Sequence, residues 1–560
     1  MKGWRHDGFS FTDPGSCRRN DNPGGCAAVG DEMQLYFNGN IYTVDDDRPA
    51  AEAVAVAGGK IAAVGTEAEC RAALGDGVEE IDLEGRTMLP GFFDTHLHLV
   101  MFIYFSLNVN LRDTASMIDF ETRLRAAKPG GPGSWVVGLN FNEQTMDIPR
   151  VPDRHDLDRV VADRPLIVIK HDGHSIIANT KAINAAGADA STPDPDGGGI
   201  DREPDGFPAG AFRENAMAML TKHIQIPDID DLLAAARESF EKLASYGITS
   251  IGTIYQTDET GPEGAAGVFD LPLMQMLTPQ SPINLYGMII TDDVKKIEQA
   301  RATPLHSDTP GGHRIGALKM FADGSFGSST SFMSEPFTDQ PGNRGMMTRT
   351  DEEIYRQMES AHRAGLQIAI HVIGDAAMRK VVDIFDRLLG EYPRDDHRHR
   401  IEHASLVDAE IIDDIRRLGL VVSSQPMFIH TEKGYLEKRL GPERIKWTYA
   451  YRSMLDAGIR LAGASDAPVE EPDVLQAIQC CVTREGIAPE QAITAAEAVR
   501  MFTIDSAFAQ FEEDVKGSIT PGKRADFVVL DRSPMETPPD EISGIRVLKT
   551  ICGGKTIYSA

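Results

Sequence analysis

Along the middle of the chain the apolar positions change period at regular intervals. From Leu232 to Tyr246 they recur with helical spacing, Gly247 follows, and Ile248-Thr249-Ser250-Ile251 is a short run of strand character. The same order returns further on. Thr350-Asp351-Glu352-Glu353 is a capping box, a helical pattern runs to about Ala364, Gly365 ends it, and Leu366-Gln367-Ile368-Ala369-Ile370 reads as a buried strand that stops at His371. Val407-Asp408 opens a helix closed by Leu418-Gly419 and followed by the strand Leu420 to Ser424. Tyr449 to Ala457, Gly458 and Ile459-Arg460-Leu461-Ala462 repeat the unit and run into Ser465-Asp466.

A helix–glycine–strand unit repeated with short links predicts parallel strands joined by helical crossovers, an α/β fold. No Gly-x-Gly-x-x-Gly follows an early strand, which weakens an open dinucleotide-binding sheet. Polar residues at the ends of successive strands favour a closed (β/α)8 TIM-like barrel, whose active sites are built there.

The flanks read differently. Leu35 to Val44 and Val54 to Val64 are hairpin signals, and Gly522 to Leu530 and Val547 to Ile551 are strand-like. They predict a small β-sandwich from both chain ends, residues 33–88 with 508–560, around a barrel of residues 89–507. Residues 106–227 hold more loop signals than one crossover needs, so an insertion over the barrel mouth is expected. Residues 1–32, rich in Gly, Asp, Asn and Arg, carry no apolar signal-peptide core and read as a disordered tail, or as sequence upstream of a natural start at Met33.

Composition narrows the function. A formal charge of −29 over 560 residues, with no basic patch, argues against nucleic acid. No apolar run approaches the roughly 18 residues that would span a bilayer. Six scattered cysteines without a Cys-x-x-Cys pair are read as free thiols in a reducing compartment, hence a cytoplasmic location.

The candidate chemistry begins at Phe93-Asp94-Thr95-His96-Leu97-His98. Two histidines one residue apart at a strand end point to the same side and make half a transition-metal site. Lys319, His371, His403 and Asp466 fall at later strand ends. Each alone is an ordinary polar residue; together, in barrel order, they suggest one centre.

The chain resembles the amidohydrolase superfamily from Leu35 onward, and within it the YtcJ-like branch that includes N-substituted formamide deformylases. The resemblance lies in Leu89 to His98, Asp172-Gly173-His174-Ser175, Lys319 to Ser325, His371 to Asp375, Arg400 to Ala404 and Gly463 to Pro468. Asn140-Phe141-Asn142-Glu143 departs from a Gly-Trp-Asp-Glu-like stretch of the branch. The resemblance implies that His96 and His98 hold one divalent ion, most simply zinc, and that His371 and His403 hold a second. Lys319, carboxylated, would bridge the two; a mononuclear site with unmodified Lys319 is the alternative. Asp466 would ligate and act as general base, His174 would contact a small-molecule substrate, and Asp323 and Arg400 would support the ligands. Glu402, next to His403 on a strand, is expected to point away from it and to take no direct part.

The implied activity is metal-dependent hydrolysis of a non-peptide C–N bond of amide or formamide type. A deaminase is less favoured, because Val372-Ile373-Gly374-Asp375 lacks a glutamate after His371 and Lys319 is present. Ester, lactone or phosphotriester hydrolysis uses the same ligands. A binding protein that has lost catalysis is disfavoured by the complete ligand set. A homo-oligomer is expected only by analogy with other barrels.

Overall fold

The computed structural model describes residues 33–560 apart from 113, 128–133, 144–145, 147–149, 171–174, 196–197, 225–227, 258–266, 268 and 308–311. The expected tail and His174 lie outside the described residues.

Eight parallel strands form the centre: β1 (Phe92–Leu97), β2 (Ile248–Gln256), β3 (Asn284–Ile290), β4 (Arg314–Phe321), β5 (Gln367–Val372), β6 (Arg400–His403), β7 (Val421–Ser424) and β8 (Leu461–Gly463). They are hydrogen-bonded in chain order from β1 to β8. The two ends of this sheet meet through single contacts instead of a ladder. Thr95 Oγ1 donates to Gly463 O at 3.0 Å, and at the mouth Asp466 N donates to His96 O at 2.8 Å. The result is a nearly closed parallel barrel.

The crossovers form for the reasons the spacing suggested. Thr350 caps the helix Asp351–Arg363 in a reciprocal box with Glu353, and that helix buries Ile354, Tyr355, Met358 and Ala361 along one stripe. Ile354 and Met358 each contribute about 1.5–3 kcal/mol. Gly247, Gly365, Gly419 and Gly458 follow their helices with φ between 65° and 82°, the left-handed turn that sends the chain back into a strand.

Both chain ends enter one further sheet. Strands Met33–Tyr42, Ala50–Ala57, Lys60–Gly65, Glu79–Asp82 and Thr87–Pro90 join Phe527–Leu530, Val547–Cys552 and Lys555–Ser559. The hydrogen bonding is that of a single eight-stranded sheet, where a small sandwich was expected. It curls, so that Ile61 N donates to Lys523 O at 2.9 Å and Tyr36, Val54, Ile61, Met88, Phe527 and Ile551 share one core. The segment from Leu35 to Val44 is not a hairpin: Met33–Tyr42 is one strand, bulged between Phe37 and Ile41 where Asn38 takes φ 57°.

Between β1 and β2 lies a six-stranded sheet of Val109–Asn110, Val136–Phe141, Leu166–Lys170, Ser175–Ala178, Gly198–Arg202 and Pro208–Glu214. It carries its own apolar clusters. Among the described residues no helix is long and apolar enough to cross a membrane.

Candidate metal centre

Register decides what faces the barrel interior, because laterally paired residues share a face. Lys319 pairs with Ala369, Phe321 with His371, His371 with Glu402, and Glu402 with Ser423. Below them Ile254, Tyr286, Met288, Ile290, Ala317 and Ala369 pack with Phe321 into an apolar plug. Lys319 and His371 stand at the top of this plug.

His96 is the penultimate residue of β1, and His98 comes just after the strand as the residue that precedes the helix Leu99–Ser106. Their Nε2 atoms lie 3.2 and 3.3 Å from the same oxygen, Asp466 Oδ1. Asp466 lies beyond β8 and, like His403 and Ala404 after β6, has positive φ (63°, 73° and 47°). Non-glycine residues in that region cost energy and persist where their surroundings hold them. The His403 ring stands 4.4 Å from His371 and 5.0 Å from His96, between centroids. Five of the six predicted ligands are histidines or the aspartate of this group, and the sixth, Lys319, is 1% exposed.

Beneath this group lies a charged support. Glu402 accepts from Arg400 Nε and Nη2 at 2.8 and 3.0 Å and meets His96 Nδ1 at 2.6 Å, while Arg400 Nη2 also donates to Thr95 O at 2.8 Å. All of these side chains are buried. Burial alone would raise the Glu402 carboxyl, but Arg400 and His96 hold it well below the usual range. Alternation does not separate Glu402 from His403 as expected: His403 takes φ 73°, so its ring and the Glu402 carboxylate both come to His96. Asp94, two residues before His96 on the same face, accepts from Ser465 N at 3.0 Å and from Ser465 Oγ, tying β1 to the Asp466 loop. Burial lifts its carboxyl to about 6 against those bonds. From sequence Glu402 was expected to take no direct part, and Asp94 was given no role. The alternation Arg400-x-Glu402 and Asp94-x-His96 was the available signal.

Asp323 supports a different ligand. It accepts from the N–H groups of Phe332, Ile373 and Gly374 at 2.8–3.0 Å and so fixes the turn just after His371, while remaining 3.9 Å from His371 Nε2. Burial raises it to about 7 despite those bonds. In the Asn140 to Glu143 stretch, Glu143 pairs with Lys170 at 2.7 Å.

The residues fit a divalent ion. An ionised Glu402 only accepts, so His96 Nδ1 carries the proton and Nε2 presents a lone pair to the Asp466 carboxylate. A lone pair facing an anion at 3.2 Å is satisfied where the two share a cation. Burial would raise Asp466, yet its histidine neighbours hold it well below the usual range. Lys319 Nζ and His403 Nδ1 have no hydrogen-bond partner among the described residues. Burial brings Lys319 down to about 8 and His371, with Lys319 beside it, to about 3. Imidazole nitrogens and a carboxylate suit a transition ion such as zinc.

A nearly closed parallel barrel with this donor set at its C-terminal mouth defines a metal-dependent hydrolase. The profile of the amidohydrolase family matches residues 79–558, and the chain belongs to that family. It is 30% identical to the putative amidohydrolase YtcJ of Bacillus subtilis (strain 168), over 94% of this chain and 99% of that protein. It is equally 30% identical to the N-substituted formamide deformylase of Arthrobacter pascens, over 94% and 98%. The structure of an uncharacterized metal-dependent hydrolase from Pyrococcus furiosus is similar at TM-score 0.72 and 28% identity, covering 90% of this chain and all of that one. The protein is a hydrolase acting on carbon–nitrogen bonds.

Proposed function

We propose that this protein hydrolyses a non-peptide C–N bond of amide or formamide type in a small molecule. The convergence of His96 and His98 Nε2 on one Asp466 oxygen carries the reading, since that arrangement suits a shared cation. The deformylase relative supports the substrate class. His96, His98 and Asp466 would hold one zinc ion, and His371 and His403 a second. Lys319 would bridge them: its buried, neutral amine adds to carbon dioxide, forming an N–C bond and releasing a proton to leave an anionic carbamate. Bound metal supplies Lewis acidity and lowers the pKa of water towards ~7.

Asp466 accepts the proton of the attacking water and delivers it to the departing amine nitrogen. Glu402 keeps the His96 Nδ1 proton in place, so that Nε2 remains a ligand throughout. Arg400 holds Glu402 ionised. Asp323 and Asp94 keep the turns after His371 and β8 in register. His174 would contact substrate. The four described cysteines are free and buried, which supports a cytoplasmic location.

The test is a panel of N-alkyl and N-aryl formamides offered to zinc-loaded enzyme, with formate and amine measured together. Equimolar release, abolished in Asp466→Ala, is expected. Turnover of esters or lactones with none of formamides would overturn the substrate class.

A further inference from the structure

The strained Asp466 is held by an almost complete backbone account. Its N–H donates to His96 O at 2.8 Å, its carbonyl accepts from Val469 N at 2.9 Å, and Ala467 O accepts from His98 N at 2.8 Å. The next two carbonyls take their donor from outside the barrel. Arg112 Nη2 donates to Pro468 O at 2.9 Å and to Val469 O at 2.6 Å, and Nη1 lies 3.2 Å from Glu470 Oε2. Glu470, 2% exposed, also accepts from Thr431 Oγ1 at 2.7 Å through its other oxygen.

Arg112 belongs to the insertion and is itself anchored there. Its N–H donates to Asn110 Oδ1 at 2.9 Å and its carbonyl accepts from Arg123 Nη1 at 2.7 Å. One guanidinium thus ties three consecutive loop positions, Pro468 to Glu470, to the inserted segment. Only a planar, multi-donor cation can serve two carbonyls and a carboxylate at once, so lysine would not be equivalent.

We infer that Arg112 is a positioning residue through which the inserted segment fixes the loop carrying Asp466, and with it the geometry of the metal centre. This rests on the reading of Asp466 as a metal ligand. Without Arg112, two carbonyls lose their donor and the buried Glu470 carboxylate keeps only Thr431, and the left-handed Asp466 is free to relax away from His96 and His98.

The test is zinc release from loaded full-length protein into excess chelator, followed by absorbance, with thermal unfolding in parallel. Asp466→Ala is the reference for a centre without its carboxylate, and Arg213→Ala, which removes an exposed pair with Asp201 on the same insertion, is the control. Arg112→Ala is expected to release zinc about tenfold or more faster than wild type, the range found for residues that orient ligands. Arg112→Lys should fall between the two, and Arg213→Ala should match wild type. Glu470→Gln keeps the shape, weakens the Arg112 pair and serves the same purpose if Arg112→Ala does not fold; it too should release zinc faster. Wild-type release from Arg112→Ala or Glu470→Gln beside fast release from Asp466→Ala overturns the inference. Wild-type release from Asp466→Ala overturns the ligand reading and the inference with it.

Discussion

Glu402 Oε2 lies 2.6 Å from His96 Nδ1, and this contact decides which nitrogen of His96 faces the centre. Glu402→Gln keeps the volume but offers an amide N–H to Nδ1, turning the imidazole's proton toward Asp466. Zinc affinity should fall about 10–100-fold, measured by competition with a chelator. Glu402→Leu should be worse for the fold than for binding. It leaves Arg400 buried without its carboxylate, at a cost of about 3–5 kcal/mol in denaturant unfolding. Unchanged zinc affinity in Glu402→Gln would contradict the assigned tautomer.

Gly374 follows His371 in a turn with no room for a side chain. A Cβ there would sit 2.1 Å from Phe332 O, the backbone that Asp323 also holds. Gly374→Ala should lower stability by about 1–3 kcal/mol and reduce the metal retained on dialysis, because the displaced turn carries His371 with it. Thermal unfolding and elemental analysis of the same sample check both effects.

Glu432 provides a pH signature away from the ligands. It is buried, accepts from Tyr449 OH at 2.5 Å and Tyr435 OH at 3.0 Å, and burial raises its carboxyl to about 7 against those bonds. Between the ordinary value near 4.5 and about 7, the folded chain holds a proton that the unfolded chain has released. This group's contribution is therefore full below about 4.5 and is lost as pH rises through 7. Glu432→Gln lacks that loss. Its stability relative to wild type should grow from pH 5 to pH 7.5, by at most about 3 kcal/mol, in paired denaturant titrations. A constant difference would place a charged Glu432 in the fold.

The barrel was legible because its units are local. Thr350 with Glu353 and Gly365 at the other end mark a helix without reference to anything distant, and the strand after it sits within two residues of its expected bounds. The six candidate ligands were legible for the same reason, each closing an apolar run. Glu402 was not, since alternation says only that it faces away from His403. Which face is the interior depends on closure of β1 against β8, a pairing across more than 360 residues. Period two also fails at His403, whose φ of 73° lies outside any strand. The bulge at Asn38 likewise depends on the distant backbone of Arg86, whose carbonyl accepts from Asn40 N at 2.9 Å. Arg112 carried no signal at all, because its partners belong to a loop in another part of the chain.

Metal content per chain, by elemental analysis of wild type and Lys319→Ala purified in parallel, distinguishes a bridged metal pair from a single ion. About two zinc equivalents in wild type, falling to one or fewer in the variant, is the predicted result, because only an anionic carbamate on Lys319 can clamp a metal pair in that buried position. About one equivalent in both proteins would contradict it and leave a mononuclear site on His96, His98 and Asp466.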